Sequence, residues 1–129
     1  MTNENLENQP MPYKAFVVLE AQVFLLDKPV TTIGRNLNND LVIRNPQVSR
    51  KHAEIRYKDG EFAIVDLDST AGTFVNNIKV EESKIYSGDL ILVADVPLMF
   101  LDEKDPAYKD MEKQTDKIKK TGKLKPGSS

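Results

Sequence analysis

Between residues 13 and 101, apolar positions come in short runs of about four to seven residues, each closed by Gly, Pro, Asn or Asp. The runs read AFVVLE, QVFLL, PVTTI, DLVI, AEIRY, EFAIVDL, GTFV, DLILVA and PLMFL. Several alternate with period two. Phe62 and Ile64 share one face of their run, and Ala53, Ile55 and Tyr57 share a face that leaves Glu54 and Arg56 for water. Asp59-Gly60 between two such runs predicts a tight hairpin. Asn76-Asn77 and Ser87-Gly88-Asp89 predict two further turns, because Asn and Gly tolerate positive φ. No stretch of 13–101 carries helical periodicity. Many short strands separated by turn residues predict an all-β sandwich or barrel.

The flanks differ in composition. Residues 1–12, MTNENLENQPMP, offer almost nothing to bury and are expected to form a disordered lead. Residues 102–129 are mixed in charge and end in Lys-Pro-Gly-Ser-Ser, which predicts a tail that is mostly disordered or holds one short helix near 106–119. The domain is therefore placed at 13–101. Its 40% hydrophobic content, taken over the whole chain, suffices for one core.

Charge narrows the classes of function. The net charge is -2, and the stretch 13–101 holds ten basic against twelve acidic residues. Such a balance argues against nucleic acid as a partner, because that binding needs clustered Lys and Arg. Any anion site must be local. With no cysteine, disulfides, thiolate catalysis and zinc–cysteine sites are excluded. No apolar run approaches the roughly 18–20 residues that span a bilayer, and the N-terminus has no basic start or apolar stretch of a secretory signal. A cytoplasmic, monomeric protein that does not bind membranes is the expectation.

The candidate chemistry lies at strand ends. Gly34-Arg35 follows the run ending at Ile33, Val48-Ser49-Arg50-Lys51-His52 precedes Ala53, and Asp68-Ser69-Thr70-Ala71-Gly72-Thr73 precedes Phe74. Loops at one end of a sandwich converge although they are distant in sequence. Together these would bring a guanidinium, hydroxyls and loop amides to one place, an inventory suited to a phosphate monoester. Ser49 and His52 could be taken for a nucleophile and base. The single His and the lack of an orienting third group speak against it, and a structural role in tying the loops is preferred. Asp66, Asp68 and Asp89 lack metal-loop spacing and read as turn-capping or solvated carboxylates. Arg44, Arg50 and Lys51 form either an electrostatic apron around the anion site or ordinary surface charge.

Taken in order, the Gly34-Arg35 pair, Val48-Ser49-Arg50-x-His52-Ala53-x-Ile55, Asp66-Leu67-x-Ser69-Thr70-x-Gly72-Thr73-Phe74-Val75-Asn76 and Ser87-Gly88-Asp89-Leu90-Ile91 resemble the forkhead-associated (FHA) domain. The resemblance covers roughly residues 14–101. It implies a β-sandwich of about eleven strands with flexible termini. It also implies a non-catalytic module, free of cofactors and metals, that binds a Ser/Thr-phosphorylated protein with phosphothreonine preferred. Carried over by position, Arg35, Ser49, Arg50 and Thr70 would contact the phosphopeptide, while Gly34, His52, Gly72 and Asn76 would brace the site. The chain departs from the family at Ala71, where an Asn amide usually holds the peptide backbone. That departure keeps open an alternative, an FHA fold used for phosphate-independent interaction or assembly.

Overall fold

The runs fold into eleven β-strands in two sheets, and no helix is present among the described residues. The computed structural model describes residues 14–103; the expected lead at 1–12 and the tail from residue 104 onward lie outside them. In chain order the strands are β1 (Ala15–Leu19), β2 (Gln22–Leu25), β3 (Val30–Gly34), β4 (Leu41–Val42), β5 (Ala53–Lys58) and β6 (Glu61–Asp66). There follow β7 (Thr73–Val75), β8 (Ile78–Val80), β9 (Glu82–Ile85), β10 (Leu90–Val93) and β11 (Val96–Asp102). One sheet has the order β2-β1-β11-β10-β7-β8, the other β4-β3-β5-β6-β9. All pairings are antiparallel except β3 with β4. This is the expected all-β sandwich.

Alternation sets which residues fill the space between the sheets. Val17, Leu98, Phe100, Ile91 and Val93 come from the six-stranded sheet, and Ile33, Ala53, Ile55, Phe62 and Ile64 come from the other; all are buried. Each large apolar side chain so buried is worth about 1.5–3 kcal/mol. Phe62 and Phe100 close the gap between the layers with ring centroids 5.1 Å apart in a tilted pair.

Turn chemistry fixes the register. Asp59 and Gly60 have φ of 54° and 84°, and Asn76 and Asn77 have 49° and 71°. Two consecutive left-handed residues give the turn whose twist matches that of antiparallel strands. The β1–β2 hairpin does the same at Glu20 and Ala21, with φ of 50° and 66°, although neither residue is Asn or Gly. Strands β8 and β9 are absent from the nine apolar runs of the sequence. Ile78 and Lys79 of β8 and Glu82 and Lys84 of β9 are exposed, so little apolar pattern marks these edge strands.

The loops divide between two ends. Ile33 pairs with Ala53 and Ala53 with Asp66, which puts the end of β3, the start of β5 and the end of β6 side by side. Thr73 pairs with Val93, which brings the start of β7 to that same end through the 67–72 loop. The β5–β6 hairpin lies at the other end, and so do the β7–β8 turn and the 86–89 turn.

Candidate functional site

The site is built from the backbone outward. Gly34 lies where two chain segments nearly touch. A Cβ there would fall 2.2 Å from the Arg50 carbonyl oxygen and 2.7 Å from Asn39 Nδ2, so only glycine fits. The close approach lets Arg35 N–H donate to Ser49 O at 3.0 Å and Asn36 N–H to Arg50 O at 3.2 Å. Asn39 reinforces the seam by donating from Nδ2 to both Asn36 O (2.9 Å) and Arg50 O (2.8 Å). Arg35 and Ser49 are thus held as neighbours by main chain.

Arg35 is exposed, yet its side chain is anchored. Nε donates to Val48 O at 2.9 Å, which fixes the plane of the guanidinium and leaves its two terminal nitrogens without a partner among the described residues. A fork held at its base and open at its tips is the geometry that accepts two oxygens of one anion.

Ser49 faces the other way into the same network. Its Oγ accepts Thr70 N–H at 3.1 Å, tying the 67–72 loop to the loop before β5. With a lone pair engaged, the Ser49 hydroxyl keeps its O–H to donate outward. Beneath it, His52 is fully buried. Its Nδ1 accepts Ser49 N–H at 3.0 Å, and its Nε2 is 2.9 Å from Gly72 O. Acceptance at Nδ1 puts the ring proton on Nε2, so Nε2–H donates to the Gly72 carbonyl. The His52 bond to Ser49 runs to the main-chain N–H, so the ring is engaged on both nitrogens by backbone groups.

A carboxylate organises the third loop. Asp66 accepts Ser69 Oγ–H (2.5 Å) and Thr73 Oγ1–H (2.7 Å) on Oδ1 and Ser69 N–H (3.1 Å) on Oδ2. Ser69 Oγ in turn accepts Gly72 N–H at 3.0 Å. Partial burial pushes the Asp66 carboxyl upward, but the hydrogen bonds from Ser69 and Thr73 outweigh it and hold the group below its ordinary value of 3.8. Gly72, with φ of +94°, turns the chain so that its carbonyl meets His52 and its N–H meets Ser69. The sequence reading gave Asp66 and Asn39 no part in the site and placed Ser69 and Thr73 in the third loop without a role of their own. Hydroxyls three and seven residues after Asp66 were the available signal.

Arg35, Ser49, Arg50, Lys51 and Thr70 line one open hollow. A second hollow beside it shares Arg35 and is lined by Leu37, Arg44, Asn45 and Pro46. Arg44, Arg50 and Lys51 are exposed and form no ion pair among the described residues. Ala71 is half-buried and packs against the core, with no polar group on its side chain to present. Asn76 is not brought to this cluster. It lies at the far end of β7, where Nδ2 donates to Asp89 Oδ1 (3.0 Å) and Oδ1 accepts Leu90 N–H (3.0 Å). Its role is to pin the β7–β8 turn to the 86–89 turn. The chain direction of β7 separates it from Gly72, which sequence spacing alone does not reveal.

Among the described residues no group of His, Asp and Glu is arranged to hold a metal, and no helix is long and apolar enough to cross a membrane.

Comparison with known proteins bears on this geometry. The family model for the FHA domain matches residues 31–94. Glycogen accumulation regulator GarA of Mycolicibacterium smegmatis is 41% identical over 78 residues, which span 60% of this chain and 49% of that protein. Oxoglutarate dehydrogenase inhibitor of Corynebacterium glutamicum is 42% identical over 78 residues, 60% of this chain and 54% of that protein. The chain thus spans about half the length of the curated relatives it matches. Among solved structures, an FHA domain studied for phosphothreonine-dependent interactions aligns with a TM-score of 0.65 at 28% identity, covering 68% of this chain and 95% of that one. Mycobacterium tuberculosis EmbR in complex with a low-affinity phosphopeptide aligns with a TM-score of 0.67 at 28% identity, covering 69% of this chain and 24% of that one.

Proposed function

The chain belongs to the FHA-domain family, and from that premise we propose that it is a non-catalytic module that docks onto a phosphorylated protein, with phosphothreonine preferred. The observation that carries this reading is the convergence of the anchored Arg35 fork, the Ser49 hydroxyl and the Thr70 loop on one hollow. An unphosphorylated threonine offers that surface one hydroxyl. Its phosphate offers about −1.5 to −2 charges and three acceptor oxygens. Binding is therefore the switch, and no bond is made or broken. Arg50 adds charge beside the phosphate, while Gly34, His52 and Gly72 hold the donors in place. Relatives named as a regulator and as an inhibitor support a regulatory docking role for this module. On the sequence reading we place that role in the cytoplasm.

A second reading is favoured by Ala71, whose methyl offers no hydrogen bond to a peptide backbone: the same fold serves a phosphate-independent interaction. One calorimetric series separates the two. Paired peptides, phosphorylated and not, are titrated into the wild type, Arg35→Ala and Ala71→Asn. Loss of charge-assisted bonds in Arg35→Ala is expected to weaken phosphopeptide binding about ten- to hundredfold, and the new amide in Ala71→Asn to strengthen it about two- to tenfold. Equal affinity for the two peptides, indifferent to both substitutions, refutes the phosphate reading and supports the second.

A further inference from the structure

The outer faces of the two sheets differ in kind. On the five-stranded sheet, the face turned away from the core carries ion pairs, Arg56 with Glu54 (2.8 Å) and Lys84 with Glu61 (3.0 Å). On the six-stranded sheet, β1 (AFVVL), β10 (LILV) and β11 (VPLMFLD) are nearly continuous apolar runs, the signature of strands covered on both sides. Register sets the residues that alternate with the core in rows on the outer face. Phe16 stands between Leu101 and Leu25, and Val18 beside Met99. Leu92 pairs with Phe74 farther across the sheet.

Burial on this face is uneven. Phe16 and Leu101 are 1% and 6% exposed and form a cluster apart from the main core. The partly buried apolar side chains packed with them, Val18, Val23 and Leu25, all belong to the same sheet. Neighbours within a sheet flank a side chain without roofing it, and the described residues hold no third layer above this face. Met99, two residues before Leu101 on the same face, is 41% exposed. Cover is thus densest where the chain leaves β11.

Two segments run out from that corner, since Glu103 N–H donates to Lys14 O at 2.9 Å. The segment before Lys14 contains Pro10 and Pro12, which break a regular helix. The segment after Glu103 has a different pattern. Asp105-Pro106 pairs a favoured N-cap with the residue favoured at the first helical position. Positions 107, 108, 111, 114, 115 and 118 are Ala, Tyr, Met, Gln, Thr and Ile, the spacing of one helix face, and every charged residue of 105–119 lies off it. A helix over 106–119 is about 21 Å long. The apolar rows extend roughly 17 Å from Leu101 to Phe74, taking strand rise and spacing together. Three residue steps from Glu103 span about 10 Å, the distance between packed layers.

We infer that residues 106–119 dock as an amphipathic helix on the outer face of the six-stranded sheet, with Tyr108, Met111 and Ile118 turned toward Phe16, Val18 and Met99. The sandwich thereby gains a third layer. This face is taken by the chain's own tail rather than by a second copy or another protein.

Hydrogen exchange on the full chain, read by mass spectrometry, tests this. A helix this short is marginal in water by itself, so slow exchange at 110–118 requires docking. In the wild type these amides should exchange at least about tenfold more slowly than in a free peptide of the same sequence, at every protein concentration. Met111→Gln with Ile118→Gln keeps good helix formers but removes the apolar stripe, and should abolish the protection. So should Met99→Lys on the sheet, a position exposed enough to accept lysine with the domain still folded. Lys113→Gln with Lys117→Gln, off the stripe, and Ala63→Lys, on the outer face of the other sheet, should leave the protection in place. Continued protection of β5 and β6 reports that each variant is folded. Free exchange at 110–118 in the wild type overturns the inference, and so does protection that survives Met99→Lys. Protection that grows with protein concentration gives the face to a second copy and overturns it too.

Discussion

Replacing Gly34 by alanine tests the construction of the site at its foundation. The added methyl would lie 2.2 Å from the Arg50 carbonyl oxygen and 2.9 Å from its carbon. A close carbon–oxygen contact is about 3.3 Å, so the Arg50 carbonyl must retreat by roughly 1 Å. That carbonyl accepts Asn36 N–H at 3.2 Å and Asn39 Nδ2 at 2.8 Å, and the adjacent Ser49 carbonyl accepts Arg35 N–H at 3.0 Å. Two or three of these bonds would be lost or stretched, each worth about 0.5–1.5 kcal/mol, with overpacking strain of about 1–3 kcal/mol added. The expected loss of stability is about 2–7 kcal/mol. Gly60→Ala is the control. It has φ of +84° but nothing within 4 Å of a new Cβ, so only the left-handed backbone resists it, at about 1–2 kcal/mol. Urea unfolding followed by circular dichroism suits a chain without tryptophan. At about 1–3 kcal/mol per molar, a 3 kcal/mol loss moves the midpoint by about 1–3 M. If Gly34→Ala unfolds at the same urea concentration as Gly60→Ala, the close approach of the two segments is not what Gly34 serves, and the account of the Arg35–Ser49 seam fails.

Two further substitutions probe the loops. His52→Phe keeps the volume of a buried ring but strips the partners from Ser49 N–H and Gly72 O. It should cost about 2–4 kcal/mol in urea unfolding and weaken phosphopeptide binding as well, and a loss below 1 kcal/mol would contradict the bracing role. Asp66, held below its ordinary value, contributes stability that is fully present above pH 3.8 and is lost as pH falls through its lowered folded value. Asp66→Asn should therefore be less stable at neutral pH by about 1–2 kcal/mol. Its stability should also fall less steeply with acid below that point, as read from urea midpoints across the acid range. A wild type and variant with parallel acid profiles would remove Asp66 from the linkage.

Much of the fold was legible because its causes are local. Period-two alternation in β5 and β6 follows from side chains pointing to opposite faces of a strand, and Asp-Gly and Asn-Asn mark turns because those residues accept positive φ. The order of Gly34-Arg35, Ser49 to His52 and Ser69 to Thr73 also survived as a spatial cluster, since each motif caps a strand at one end of the sandwich. The Glu20-Ala21 hairpin was not legible, because its left-handed residues carry no turn signature and are held by the pairing of β1 with β2. Strands β8 and β9 were missed because each turns a single apolar residue, Val80 or Ile85, to the core.

The sequence by itself determined which residue types stand at the strand ends and hence what kind of ligand they suit. The tertiary structure alone decided which of them meet. It set Asn76 apart from Gly72 at the other end of β7, and it made Gly34 obligatory through a contact with Arg50 sixteen residues away in the chain. It also placed Leu37 and Arg44 around a hollow that shares Arg35. Backbone preferences act between neighbours and are written in neighbouring residues. Convergence depends on strand pairing and sheet packing, which are properties of the whole folded chain.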